Sequence, residues 1–251
     1  MIDVMRIGLT KEHLLKMTPQ ERSLFLLLGY TSNQVNVLWK IIIAATNRNP
    51  TDPIDERVSA AQTQILVRLL VGVLHEAWGL VERQFLKSLI GREYVQLLDT
   101  TASQALDRLK KRFGSSNPLV DIRNKYAFHH PTVEDMEAAF QQAANSPDVA
   151  ADEWSVYLAR TLLNCFFFAS EVVISHGITS AVGETNVLEA HKKLLPELAP
   201  IANALSELTF GFAAAIFLKY VGAELPAEVV AKIGDAPRME DVVLPFFVET
   251  A

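Results

Sequence analysis

Cysteine is almost absent: Cys165 is the single one in 251 residues. An internal disulfide is therefore excluded, and a reducing, cytoplasmic setting is expected. Cys165 lies in the apolar run 162–169, where a small buried hydrophobe is the natural reading. Positive charge is also scarce. Lys and Arg number 23 against 29 Asp and Glu, a net charge of −6, which argues against broad coating of nucleic acid. The two most apolar stretches, 162–174 and 208–218, are too short to span a bilayer and are flanked by charge or histidine, so no membrane partner is expected. The start, Met1-Ile2-Asp3-Val4, has no basic lead and no cleavable apolar core, so no signal peptide is expected.

Several chemistries lack their residues too. The 11 glycines form no phosphate-binding loop. The serines have no glycine-rich elbow around them for a nucleophilic triad. His75-Glu76 lacks a second histidine four positions on, as a helical metal site needs. No cofactor and no metal is expected. No stretch of useful length alternates with the period of a strand, and no internal repeat is visible.

What the chain does have is apolar mass and helix punctuation. Half of it is hydrophobic and 21% charged, enough for a substantial core. The expected fold is all-α, a multi-helix bundle of eight or more helices in a single domain, 1–251. Residues 1–51 read as an N-terminal helical extension. Thr10 caps a short helix, Thr18-Pro19-Gln20-Glu21 opens a leucine-rich one that Gly29 ends or bends, and 34–45 forms another before a polar loop at 46–51. Asp52-Pro53 opens the longest helix, directed towards Ile90, with Val58, Ala61, Ile65, Leu69, Val73, Ala77 and Leu80 facing the core. A second line on it, Arg68, Gly72, His75, Gly79 and Glu82, holds two glycines that each cost about 1 kcal/mol in a helix. A close neighbour there would explain them, and the stripe is expected to face the helix that starts at Asn117 or a dimer mate, with His75, Glu76 or Glu82 near the site. An ordinary helix contact with a hydrogen-bonded core histidine is the plainer alternative.

Short helices follow at 93–98 and 101–113, the latter stopped by Gly114. Thr132-Val133-Glu134-Asp135 reads as a capped start of a helix reaching Ala144, and 145–151 is polar. Asp152 is read as the cap of a long central helix ending near Ser175 at His176-Gly177. Residues 179–185 form a loop. Pro196 and Pro200 interrupt a helix begun at Leu188, 201–221 makes the last long helix, and Pro226 starts a polar tail whose apolar patch, 242–248, docks back. The C-terminal helices from 152 on complete the core.

Residues 117–131 carry the chemistry. Asn117 suits an N-cap and Pro118 the first helical position, while Pro131 disfavours helix at His130, so the helix should stop near His129. At 100° per residue Arg123 and His129 are offset by about a third of a turn, which long side chains can bridge if the last turn unwinds. At a helix C-terminus His129 meets the negative end of the dipole, which favours imidazolium. A proton-exchanging histidine beside a permanent cation suits attack on a phosphodiester, with Asn124 orienting the arginine or donating to substrate. From 106 to 130 the bases Arg108, Lys110, Lys111, Arg112, Arg123 and Lys125 outnumber Asp107 and Asp121, a locally positive segment fit for a small polyanion site. The alternative is that Lys110, Lys111 and Arg112 complement the end of their own helix and that the histidines cap theirs.

The run Arg123-Asn124-Lys125-Tyr126-Ala127-Phe128-His129, with His130 as an alternative terminus, resembles the signature of the HEPN superfamily: arginine, a polar residue, then histidine four to six positions on. These are small all-helical domains common in toxin–antitoxin and antiphage systems. The resemblance implies a HEPN-like unit over 52–144 and metal-independent endoribonuclease activity on RNA. It also implies a homodimer whose active sites form where two motif helices meet, and an antitoxin protein as a further partner. By the same resemblance Arg123, Asn124 and His129 are catalytic. Lys125, His130, Arg112, Lys111 and Tyr126 are the candidates for substrate contact, and His75, Glu76 and Glu82 for support. Two other readings stay open. One is a non-catalytic helical binding or regulatory module for nucleotide, RNA or protein. The other is a metal-dependent hydrolase in which Glu76 and Glu82 cluster with His75 and His129.

Overall fold

The computed structural model describes residues 2–46, 49–50, 52–114, 117–147, 149–150, 154–222 and 227–249. Over these the fold is all-α, with nine α-helices: α1 (Lys11–Lys16), α2 (Pro19–Thr46), α3 (Pro53–Leu80), α4 (Leu89–Tyr94), α5 (Thr100–Phe113), α6 (Pro118–Ile122), α7 (Val133–Ala144), α8 (Phe168–Val182) and α9 (Val187–Tyr220). Many of their starts use the caps read from sequence. Thr10 and Thr132 each close a reciprocal capping box, and Asn117 accepts from the backbone N–H two residues on, while Asp99, a cap not read from sequence, accepts from the one three residues on.

By its internal contacts the chain divides into two compact units, neither of them continuous. One comprises Met1–Asn36, Glu76–Ser115 and Pro200–Arg238, the other Val37–His75, Ser116–Ala199 and Met239–Ala251. The helices α2, α3 and α9 contribute residues to both.

In the first unit Phe212 of α9 packs its ring against Phe85 and Tyr94, at 5.6 and 5.0 Å between centroids. Beside this cluster sits a buried charged group. Glu21 is 2% exposed, and its carboxylate accepts from the Tyr94 and Tyr220 hydroxyls, from Lys219 Nζ and from the Thr18 backbone, all at 2.7–2.9 Å. Burial alone would raise its pKa, but the donors from Lys219, Tyr94, Thr18 and Tyr220 together outweigh it and hold the carboxyl well below the usual range.

In the second unit Val58 and Ala61 of α3, Ala143 of α7, and Phe166, Phe168 and Val172 form the core, with Ile65, Val149, Tyr157 and Phe246 against it. The C-terminal patch returns to the body as expected: Leu244 N–H donates to the Ala44 carbonyl, and Phe246 meets Phe166 edge-on at 5.1 Å.

Several expectations are corrected. The α2 helix runs unbroken through Gly29, because its buried line continues on both sides, Leu24 and Leu28 before the glycine and Thr31 and Val35 after it. The segment 154–167 is not the long α-helix expected, and holds only a single 3-10 turn, Leu162–Asn164. Tyr157 and Phe166 exchange backbone hydrogen bonds at 2.8 and 2.7 Å, and an extended chain then turns Phe166 and Phe168 inward (8% exposed each) and Phe167 outward (62%). Leu158, Leu162 and Leu163 are consequently exposed rather than central. The α8 helix begins at Phe168 and passes through His176-Gly177 to Gly183, whose φ of 74° makes the stop. The cap assigned to Asp152 and the tail start at Pro226 lie outside the described residues.

Pro196 and Pro200 do not interrupt α9. Four residues apart, both sit on its exposed side, where water can hydrate the carbonyls that lose their partners. A strand pair also exists. Ile2–Ile7 (β1) runs antiparallel to Ala227–Ile233 (β2), with a register shift at Val4/Met5.

Two helical runs, Pro53–Leu86 and Glu189–Tyr220, are long and apolar enough by length and composition to cross a membrane. In them 56% and 50% of the most apolar window is buried inside the protein, as in the core helices of a bundle.

Replacing Glu21 by Ala leaves two tyrosine hydroxyls and an ammonium without their shared acceptor, and should cost about 3–5 kcal/mol in urea-unfolding free energy. A loss within ~1 kcal/mol would contradict the role given to this carboxylate. Because the folded-state pKa lies below the ordinary 4.5, this stabilisation is complete above about pH 4.5 and declines as the pH falls further. The parent protein should therefore lose stability in acid more steeply than Glu21→Gln.

Candidate functional site

The motif segment begins as a conventional helix and then changes pitch. The Asn117 side chain accepts from Leu119 N–H at 3.0 Å, and Leu119 and Ile122, both fully buried, seat α6 on its unit. From Arg123 to Ala127 the helix widens into a π turn, closed by Phe128 N–H to the Arg123 carbonyl at 3.4 Å. The helical turn ends at Ala127, two residues earlier than the position expected from Pro131, and the chain leaves through Phe128 and His129.

The non-helical exit brings the histidine back to the arginine. Arg123 Nη1 donates to Asn124 Oδ1 at 2.8 Å and lies 3.4 Å from His129 Nε2. The second contact is a hydrogen bond when the neutral ring carries its proton on Nδ1. Arg123 is half-buried, while Asn124, His129 and His130 are exposed. A planar cation, an amide and an imidazole ring thus share one surface spot.

The neighbouring residues divide into two groups. Lys125 turns to Asp135, at 2.8 Å. The hydrogen bond to Asp135 is the main reason its ammonium pKa is raised, and Asp135 is correspondingly lowered by Lys125 and then Thr132. Asp135 also closes the Thr132 capping box, so this pair ties the motif segment to the start of α7. Tyr126 turns its ring to α8, and burial pushes its hydroxyl pKa up. His75 belongs to the same unit as the motif, whereas Glu76, Glu82, Lys111 and Arg112 fall in the other. Glu82 binds Lys87 at 2.7 Å. Among the described residues no three His, Cys, Asp or Glu side chains come together as a metal-binding group, and the cluster required by the metal-dependent reading is not assembled.

What fixes the motif is the lack of side chains opposite it. A Cβ on Gly72 of α3 would stand 2.9 Å from Phe128 Cζ and 3.1 Å from Ala127 Cβ. A Cβ on Gly177 of α8 would stand 2.7 Å from Tyr126 Cζ. Of the α3 stripe, then, Gly72 does face the motif segment. Arg68 instead pairs with Glu171 of α8 at 2.7 Å, and Gly79 accommodates the guanidinium of Arg83. Sequence reasoning took Gly177 for a helix stop. The signal it had was a glycine inside an apolar helix, which marks a close approach as readily as an end.

These glycines permit a test in which two effects have opposite signs. In an exposed helix Gly→Ala gains about 0.5–1 kcal/mol, and Gly29→Ala in α2, with open space around it, should show that gain. Gly72→Ala and Gly177→Ala should instead lower the unfolding free energy by about 1–3 kcal/mol and increase hydrogen exchange over 123–129. A gain at both sites would show that the close packing does not hold the motif. No family model, curated protein or solved structure matches this chain.

Proposed function

We propose that this chain is a metal-independent endoribonuclease of toxin or antiphage-defence type, working in the cytoplasm as a homodimer, with RNA as substrate and an antitoxin protein as a further partner. The observation that carries the reading is the Arg123–His129 approach, 3.4 Å between Nη1 and Nε2, with Asn124 on the same guanidinium nitrogen at 2.8 Å. The resemblance of these residues to the HEPN signature supplies the reaction class.

In this reading the 2′-hydroxyl of one nucleotide attacks its own 3′ phosphorus. His129 accepts or returns the proton, and the bond to the next 5′ oxygen breaks. A 2′,3′-cyclic phosphate and a free 5′-hydroxyl result. Arg123 binds the non-bridging oxygens as negative charge builds on them, and Asn124 limits the rotation of the guanidinium. The exposure of His129 and His130 leaves the spot accessible to a polymer and to a second copy of the motif.

Purified protein should degrade total RNA equally with and without chelator. His129→Ala should lower the rate by at least about 100-fold, as expected for loss of a general acid–base, and Arg123→Ala by about 100–1,000-fold, as for loss of a charge-stabilising donor. Both variants should keep the parent's unfolding curve. Cleavage by His129→Ala at the parent rate would remove His129 from the reaction. Retention of RNA on the parent protein without cleavage would assign the chain to the non-catalytic binding class.

A further inference from the structure

The segment that precedes α8 forms a hairpin with an apolar outer side. Its two legs are joined by the paired backbone bonds of Tyr157 and Phe166, and at its base Ala169 N–H donates to the Ser155 carbonyl at 2.9 Å. Nearer the turn Ala159 N–H donates to Cys165 Sγ at 3.3 Å. The Asn164 side chain donates to the Val248 carbonyl at 2.8 Å and accepts from Val248 N–H at 3.0 Å, which holds the turn against the C-terminal segment. The hairpin is thus pinned along its length.

Tyr157 and Phe166 pack on the core. Side chains alternate along each leg, so Val156, Leu158 and Phe167 lie on the opposite side. Leu162 and Leu163 extend that side at the turn. These five residues are 46–87% exposed. Together they leave on the order of 600 Å² of mostly apolar surface in water, at the top of what one patch on a monomer shows. That is most of the roughly 800 Å² per partner that a standard protein interface buries.

Charge selects the occupant. Arg160 stands in the turn, and Glu249 follows the Val248 that the turn holds. Both are exposed, and neither makes an ion pair among the described residues. One unpaired charge of each sign therefore borders the patch. A bilayer or a partner carrying a single sign would satisfy one and repel the other. A twofold-related copy satisfies both, because in such an interface each residue meets its counterpart reciprocally. We propose that the outer side of this hairpin is an interface with a second copy of the chain, with the leucines and Phe167 at its centre and Arg160 of each copy facing Glu249 of the other.

This contact is separate from the Arg123 and His129 spot. Tyr126 meets α8 at Gly177, ~14 Å along the helix from Phe168. Losing the hairpin contact therefore halves the assembly whether or not the motif segments also join copies, and RNA cleavage, where present, should persist.

Light scattering of the full chain over a concentration series tests this. Leu162→Asp should weaken the association at least ~100-fold, because each copy then places a charge against apolar surface. Arg160→Glu and Glu249→Arg should each weaken it about 10-fold by setting like charges together, and the two combined should return it to the parent's level. These positions are exposed, so every variant should keep the parent's unfolding curve. A parent mass equal to that of Leu162→Asp at every concentration overturns the assignment. So does a double charge reversal that associates no better than either single one. A parent that shows no such association and instead floats with phosphatidylcholine vesicles overturns it in favour of a bilayer.

Discussion

Steric contact at two side-chain-free positions governs the rest of the structure's chemistry. The rings of Tyr126 and Phe128 press on Gly177 and Gly72, on two different helices. A rigid ring against backbone has few alternative arrangements, so the segment between them cannot rotate about its axis. Arg123 and Asn124 precede the first ring and His129 follows the second. Their relative positions are therefore set by packing that none of the three makes itself.

The end of the π turn adds the second constraint. In a regular α-helix Arg123 and His129 would lie about a third of a turn apart. A π turn rotates less per residue and does not close that offset; the departure from the helix before His129 is what allows its ring to come within 3.4 Å of the guanidinium. Pro131 keeps His130 out of the helical conformation after the exit, and the Lys125–Asp135 pair ties the chain to the next helix cap. Wide turns of this kind occur often at functional sites because they place a side chain where a regular helix cannot. In the reading proposed here, the scaffold's contribution is orientation, and the half-buried arginine and exposed histidine contribute the chemistry.

Much of this was legible in the sequence where the determinant is local. The caps at Thr10, Asn117 and Thr132, the stop at Gly114 and the all-α class follow from residues within a turn of each feature. The α3 glycine stripe went further and anticipated the contact between Gly72 and the motif segment. What was not legible depends on partners distant in the chain. Phe166–Phe168 is apolar in every reading, but only the surrounding core decides that it is extended, with alternate rings buried. Gly177 reads as a stop until Tyr126 is seen against it. Pro196 and Pro200 read as breaks until both are seen on the outer face of α9. The β1–β2 ribbon joins the two ends of the described chain, is exposed over most of β1, and leaves no burial period in its sequence.

The central claim is that Arg123 and His129 cleave RNA by attack of its own 2′-hydroxyl, and the chemistry of the cut ends addresses it most directly. A defined RNA oligonucleotide incubated with the protein in chelator should yield one fragment ending in a 2′,3′-cyclic phosphate and another beginning with a 5′-hydroxyl. A single 2′-deoxy substitution at the cleaved nucleotide should block that cut. Fragments bearing 5′-phosphate, or cleavage that persists at the 2′-deoxy position, would contradict the account.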